Sequence, residues 1–216
     1  MGWFTPLPLP RAVPEGVGAL VLDSVFAAGP GRQRELAEAC AGEWEALGRP
    51  TGLVGRRCLV STDGETVLRC GLWAGPEAYR AHAASRSGGR DGGASVCFIP
   101  YRHLVGPVVP DEVRCVVTAS FDVDGAERQR YFVDSLIAAL PGDAVAEGAG
   151  AAHFLLSADG SRVVLYTEWA DEGAHARAAE RGAHDAVHEI FSGTPGVRAL
   201  GGRRYWLHSL WDRPAR

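Results

Sequence analysis

The chain has 216 residues, of which 46% are hydrophobic and 22% charged, the balance of a globular protein with a packed core, and this excludes a disordered chain. Its 22 basic residues against 26 acidic ones give a formal net charge of -4, with no basic stripe to neutralise phosphates, so nucleic acid is excluded as an expected partner. Every basic residue apart from histidine is Arg, and the chain holds neither Lys nor Asn.

In chain order, residues 1–17 carry Pro6, Pro8, Pro10 and Pro14 and read as an extended arm. "ALVLDSVF" (19–26) is strand-like, and "RQRELAEACAGEWEAL" (32–47) is rich in helix formers, with a stripe of Leu36, Cys40, Trp44 and Leu47 at helical spacing. "GLVGRRCLVST" and "ETVLRCGLW" flank Asp63-Gly64, a hairpin signal. "GPEAYRAHAAS" (75–85) reads as a helix and "SVCFIPYRHLV" (95–105) as a strand, joined by the Gly-rich "RSGGRDGGA". From Glu112 the order β-α-β-β-α-β returns: "VRCVVTASF", "AERQRYFVDSLIAAL", the hairpin "AAHFLLSADGSRVVLYTEW", "DEGAHARAAERGAHDAVHEIF" and "RALGGRRYWLHSLW".

"STDGETVLRCGLW" and "SADGSRVVLYTEW" repeat Ser, Asp-Gly and Trp at identical spacing, aligning Asp63 with Asp159, Trp73 with Trp169 and Phe26 with Phe121. The expected fold class is therefore α+β, with two tandem ferredoxin-like units, 18–108 and 109–216, divided at the two prolines of "VGPVVPDE". Each sheet leaves one face bare. Packing the two faces together would give an intramolecular dimeric α/β barrel, a pseudo-dimer that is either a monomer or part of a homo-oligomer.

The five cysteines are scattered, without a C-x-x-C pair, and read as reduced packing residues. The N-terminus lacks the basic and apolar regions of a signal peptide, and no apolar run is long enough to span a membrane, so the expected location is cytoplasmic.

The strand ending in Trp73, the x-Asp-Gly hairpin before it and the helix opening "PEAY" after it, in "VLRCGLWAGPEAYRAH", resemble the antibiotic biosynthesis monooxygenase (ABM) superfamily. The resemblance covers both repeats, residues 18 to 210. That superfamily includes cofactor-independent oxygenases of aromatic polyketides, haem-degrading enzymes, related cyclases, and quorum or stress proteins. Many of its oxygenases carry an Asn four residues before the Trp, which helps hold a phenolate or peroxy intermediate. Here that position is Arg69 in the first repeat and Leu165 in the second. A guanidinium can donate to an oxyanion as an amide does, whereas Leu165 cannot, so the first repeat is the better candidate for the working one.

Candidate catalytic residues are Arg69, Trp73, His82 and His103, with Tyr79, Arg102 and Trp169 as substrate-binding residues. Trp73 and Trp169 can be flat aromatic walls or core. Tyr79 and His82 share a helix face, where they can orient or deprotonate a phenol or form a half-exposed surface. Tyr101 and His103 are expected on one face of the last strand of the first repeat, with Arg102 on the other. His184 and His188 have i, i+4 spacing but lack the Glu of H-E-x-x-H, so no metal site is expected. Arg203, Arg204, Tyr205, Trp206 and His208 line a second site or cap the seam.

The resemblance implies a monooxygenase that oxidises a polycyclic phenol or anthrone-like aromatic polyketide with O2. No tightly bound cofactor is expected, and reduced flavin could serve as a diffusible substrate. A polyketide cyclase and a non-enzymatic binding protein for a hydrophobic small molecule are the alternatives.

Overall fold

The computed structural model describes residues 3–10, 12–46, 48–85, 95–106, 111–139, 148–181, 189–190 and 192–212. The loop 86–94, residues 107–110 of the junction, and His184 and His188 lie outside them. The elements are β1 (Ala19–Phe26), α1 (Pro30–Ala46), β2 (Leu53–Ser61), β3 (Thr66–Trp73), α2 (Pro76–Ser85) and β4 (Val96–Val105), then β5 (Cys115–Val123), α3 (Ala126–Ala139), β6 (Ala149–Ser157), β7 (Arg162–Trp169), α4 (Glu172–Glu180) and β8 (Val197–Asp212). The fold is α+β. Its eight strands are hydrogen-bonded in the order β1-β3-β2-β8-β5-β7-β6-β4, a closed barrel.

The chain divides into two compact units. The first comprises Met1–Leu7, Arg11–Ile99 and Tyr205–Arg216, the second Pro8–Pro10 and Pro100–Arg204. The boundaries cut β4 and β8, so each of these long strands serves both units. In the first unit, Leu20–Leu22 of β1 pair with Val96–Phe98, and Gly55–Ser61 of β2 pair with Tyr205–Asp212. The N-terminal arm is tied down by single bridges, Leu7 with Leu207 and Leu9 with Val113. Trp3 and Phe4 pack beside His208, with ring centroids 5.3 Å away in each case.

A device repeated 96 residues apart explains the duplicated Ser-x-Asp-Gly. In the first unit the Gln33 side-chain amide on α1 donates to the Ser61 carbonyl and hydroxyl and to the Thr66 carbonyl, at 2.9, 3.1 and 2.9 Å. In the second, Gln129 on α3 donates to the Ser157 carbonyl and hydroxyl and the Arg162 carbonyl, at 3.2, 3.1 and 2.7 Å. Each serine hydroxyl donates to its Asp at 2.6 Å, in the pairs Ser61–Asp63 and Ser157–Asp159. Each turn closes with a glycine in the left-handed region, Gly64 at φ 81° and Gly160 at φ 82°, which a side chain would strain. The glutamine amide N–H groups and the serine hydroxyls are paired in each set, while Gln33 Oε1 is buried without a partner among the described residues; the hairpin end is fastened to the first helix of its unit.

One sequence alignment needs correction. Val163, the counterpart of Val67 at the 96-residue offset, pairs with Phe121, while Val67 pairs with Val25. Phe121 is therefore matched by Val25, not Phe26. A shift of one residue reverses the face of a strand: Phe121 is 2% exposed in the core, whereas Phe26 is 72% exposed.

Candidate active site

Strand alternation places Val67, Arg69, Gly71 and Trp73 on one face of β3, under the helices. Val67 clusters with Ala37 and Cys40 of α1, and Trp73 packs against Ala78 and Tyr79 of α2. Directly paired residues on neighbouring strands share a face. Gly71 is paired with Val21 on β1 and with Arg56 on β2, and Arg56 with Trp211 on β8. One row along, Arg69 is paired with Asp23 and Cys58. Gly71 is thus a bare position ringed by Arg69, Trp73, Arg56 and Val21.

A side chain here would crowd the Trp73 ring. A Cβ at residue 71 would stand 2.9 Å from the Trp73 indole nitrogen. That Nε1 has no hydrogen-bond acceptor among the described residues. Arg69 Nη1 forms an ion pair with Glu43 Oε2 at 3.3 Å, while its Nε is buried without a partner among the described residues. Arg56, 7% exposed, donates from Nη1 to the Trp44 carbonyl at 3.1 Å, and both Arg49 and Arg56 lie over the Trp211 ring, at 5.3 and 6.0 Å. Asp23, half-buried, makes no hydrogen bond or ion pair among the described residues. The indole of Trp73 is framed by Tyr79, edge-on at 5.6 Å, and His82, tilted at 5.2 Å. This face offers hydrogen-bond donors and aromatic walls, the chemistry that holds an oxyanion on a flat ring.

The equivalent face of the second unit is filled. Thr167 stands where Gly71 does, ringed by Leu165, Trp169, Ala152 and Val117. Its hydroxyl accepts from Trp169 Nε1 at 2.8 Å and donates to the Val117 carbonyl at 3.2 Å. Trp169 meets His175 edge-on at 5.0 Å, and His175 Nδ1 accepts from Arg204 Nε at 3.0 Å. Leu165 packs on Phe121, Phe132, Phe154 and Leu156.

Of the residues expected from sequence, Arg69, Trp73, Tyr79 and His82 come together on the first unit's face. Trp169 has its own setting in the second unit, with its N–H already taken. Arg102 and His103 also fall in the second unit. Arg102 Nε lies 3.3 Å from Asp134 Oδ1, and the Tyr101 hydroxyl donates to the same carboxylate at 2.9 Å, which raises the phenol's pKa. The Arg102 guanidinium also lies over the Tyr101 ring at 4.2 Å. His103 stacks with His153 at 6.4 Å.

Sequence reading missed Gly71, Arg56 and Asp23. A 96-residue self-alignment carries the signal, since it sets them against Thr167, Ala152 and Ala119.

No family model and no curated protein matches this sequence. Among solved structures, the chain is similar to an anthrone oxidase-like protein, at 14% identity and TM-score 0.70, covering 93% of this chain and 95% of that one. It is also similar to a candidate monooxygenase from Fusobacterium nucleatum, at 11% identity and TM-score 0.58, covering 93% and 96%. The chain shares the fold of these two proteins. A third solved structure, a candidate monooxygenase from Lactobacillus acidophilus, has 10% identity and a TM-score of 0.50, covering 90% and 96%. These likenesses concern the backbone; the ring of residues around Gly71 belongs to this sequence.

Proposed function

We propose that the face around Gly71 is an oxygenase site that binds the ionised oxygen of a polycyclic phenol or anthrone-like polyketide and oxidises it with O2. The observation that carries this reading is Arg69 Nε, buried without an acceptor among the described residues, beside a bare glycine whose other flank is the Trp73 indole N–H. Unit two supplies that oxygen from its own Thr167, 2.8 Å from the indole nitrogen. In unit one a ligand oxygen takes the place of the threonine hydroxyl.

In this reading the ring lies against Trp73 beside Tyr79, with His82 or Asp23 taking the proton and Arg69 and Arg56 favouring the anion. The ionised aromatic passes an electron to O2, and the two radicals combine as a peroxide. For an anthrone, the CH2 becomes C=O and the second oxygen leaves as water with the two hydrogens, so the substrate supplies all the electrons. The same reading takes the chain as two tandem ferredoxin-like units, 18–108 and 109–216, of which the first is the working copy. The shared fold with an anthrone oxidase-like protein supports the choice of substrate class without fixing it.

The test is O2 consumption by the purified chain with an anthrone, against the rate without protein. Uptake above that rate, coupled one to one to quinone and lost in Gly71→Thr, is expected. Tight binding of the anthrone with no uptake above background would overturn the oxygenase reading.

A further inference from the structure

The arm at residues 3–10 brings a second buried N–H to the first unit. Trp3 Nε1, like Arg69 Nε, is buried without a hydrogen-bond partner among the described residues. The Trp3 ring itself is held firmly: Phe4 stands at 4.6 Å, His208 at 5.3 Å, and the Arg34 guanidinium lies over the ring at 6.0 Å. A phenylalanine would serve that packing equally well. The indole N–H adds nothing to it, and a buried donor left unpaired costs free energy that an acceptor from outside the chain would remove.

The two donors belong to one helix-covered face. Trp3 and Phe4 pack on a cluster that includes Ala37, Cys40 and Cys58. Cys58 on β2 is directly paired with Arg69 on one side and with Ser209 of β8 on the other, and His208 sits in the bulge beside Ser209. Arg69 and the β8 segment beside which Trp3 stands are thus two strand spacings apart, about 10 Å. At the 96-residue offset, Ala37, Cys40 and Cys58 correspond to Val133, Leu136 and Phe154, which fill the second unit's core. Between its two donors the first unit therefore has the smaller side chains, with the rings of the arm laid against them.

We infer that Trp3 is a specificity-determining residue of the proposed site, its indole N–H donating to a second oxygen of a ligand whose first oxygen is held at Arg69. The inference rests on the Gly71 face being the ligand site. It narrows the ligand to a flat ring system with oxygens at opposite ends, about 10 Å apart across two strand spacings, which is the reach of three linearly fused rings. The arm is attached through isolated bridges at Leu7 and Leu9, so it lifts to admit the ligand and closes over it without dismantling a sheet.

The test is binding and not turnover, so it is separate from the O2 chemistry. Affinities of the full chain are measured by isothermal titration for two probes that do not consume O2: anthraflavic acid, an anthraquinone with a hydroxyl on each end ring, and its counterpart with a hydroxyl on one end ring only. The parent is expected to bind anthraflavic acid about tenfold more tightly, the worth of one further hydrogen bond. Trp3→Phe, which keeps an aromatic ring without the N–H, should erase that preference and leave the affinity for the single-hydroxyl probe within a factor of about two. Phe4→Leu, which loosens the same arm without removing a donor, should weaken both probes alike. Equal affinity of the parent for the two probes, or a preference that survives Trp3→Phe, would overturn the inference while leaving the oxygenase reading intact. Binding of neither probe would remove the ligand site itself, and the role of Trp3 with it.

Discussion

The two helix-covered sheet faces are built on one plan and filled in opposite ways. In the second unit the positions around Thr167 hold Leu165, Ala152 and Val117, backed by Phe121, Phe132 and Phe154, and the indole N–H is satisfied internally. In the first, the same positions hold Arg69, Arg56 and Val21 around a glycine, and Arg69 Nε is buried with no acceptor among the described residues. Burying a cation or leaving a donor unpaired costs free energy that a hydrocarbon core avoids. The Gln, Ser, Asp and Gly of the hairpin buckle are the same in both units, and so is the Trp at the end of the hairpin. The duplicated scaffold tolerates a site because its anchors lie elsewhere.

The sharpest way to break the comparison is to exchange its centre. Gly71→Thr writes the second unit's oxygen into the first, and turnover of an anthrone should fall by a factor of about 100 or more, the scale for losing oxyanion donors, with the chain still folded by circular dichroism. The reciprocal Thr167→Gly should leave turnover within a factor of about two and lower stability by about 1–2 kcal/mol in urea, through a lost buried hydrogen bond and a glycine in a strand. Equal effects of the two on turnover would remove the distinction between the units.

Leu165→Arg tests the hydrocarbon side. A guanidinium among Phe121, Phe154 and Leu156 has no partner like Glu43, and a loss of about 3–5 kcal/mol is expected, whereas Arg69→Leu should cost activity and little or no stability. Next in size, the shared buckle predicts symmetry: Gln33→Leu and Gln129→Leu should each lose about 2–3 kcal/mol by leaving buried carbonyls unpaired, and a gap between them much above 1 kcal/mol would show that the two buckles carry different loads.

The smallest effect concerns pH. Hydrogen bonds from Ser157, then from the Ser161 backbone and hydroxyl, hold the Asp159 carboxyl below the usual carboxylate value. Its contribution is therefore present above the unfolded-state value near 3.8 and is lost as pH falls through the lower folded-state value. Asp159→Asn should be slightly less stable than the parent at pH 6, and the difference should vanish in acid unfolding below pH about 3.

Much of the backbone was legible in the sequence. Asp-Gly between β-rich runs located both hairpins, and the order β-α-β-β-α-β followed from period and punctuation. The strand alternation of β3 placed Arg69 and Trp73 on one face, as found. Gly71 was not legible, because a glycine in a strand is silent until the residues on the flanking strands are known. Arg56 was hidden in an Arg-Arg pair in which only one side chain faces the helices. Asp23 lay in an apolar strand and drew no notice. Gln33 and Gln129 were readable after the fact: both sit in an Arg-Gln-Arg triplet repeated 96 residues apart. The mismatch of Phe26 with Phe121 came from matching residue types instead of pleat.

Strand β2 finds its second neighbour, Tyr205–Asp212, far along the chain from it. During synthesis the β2 edge stays unpaired until that segment has been made and has found it. Loop closure over such a separation makes for slow folding. An exposed edge for that interval is an invitation to chaperones and to aggregation. Folding of the first unit therefore waits on a pairing between segments distant in sequence.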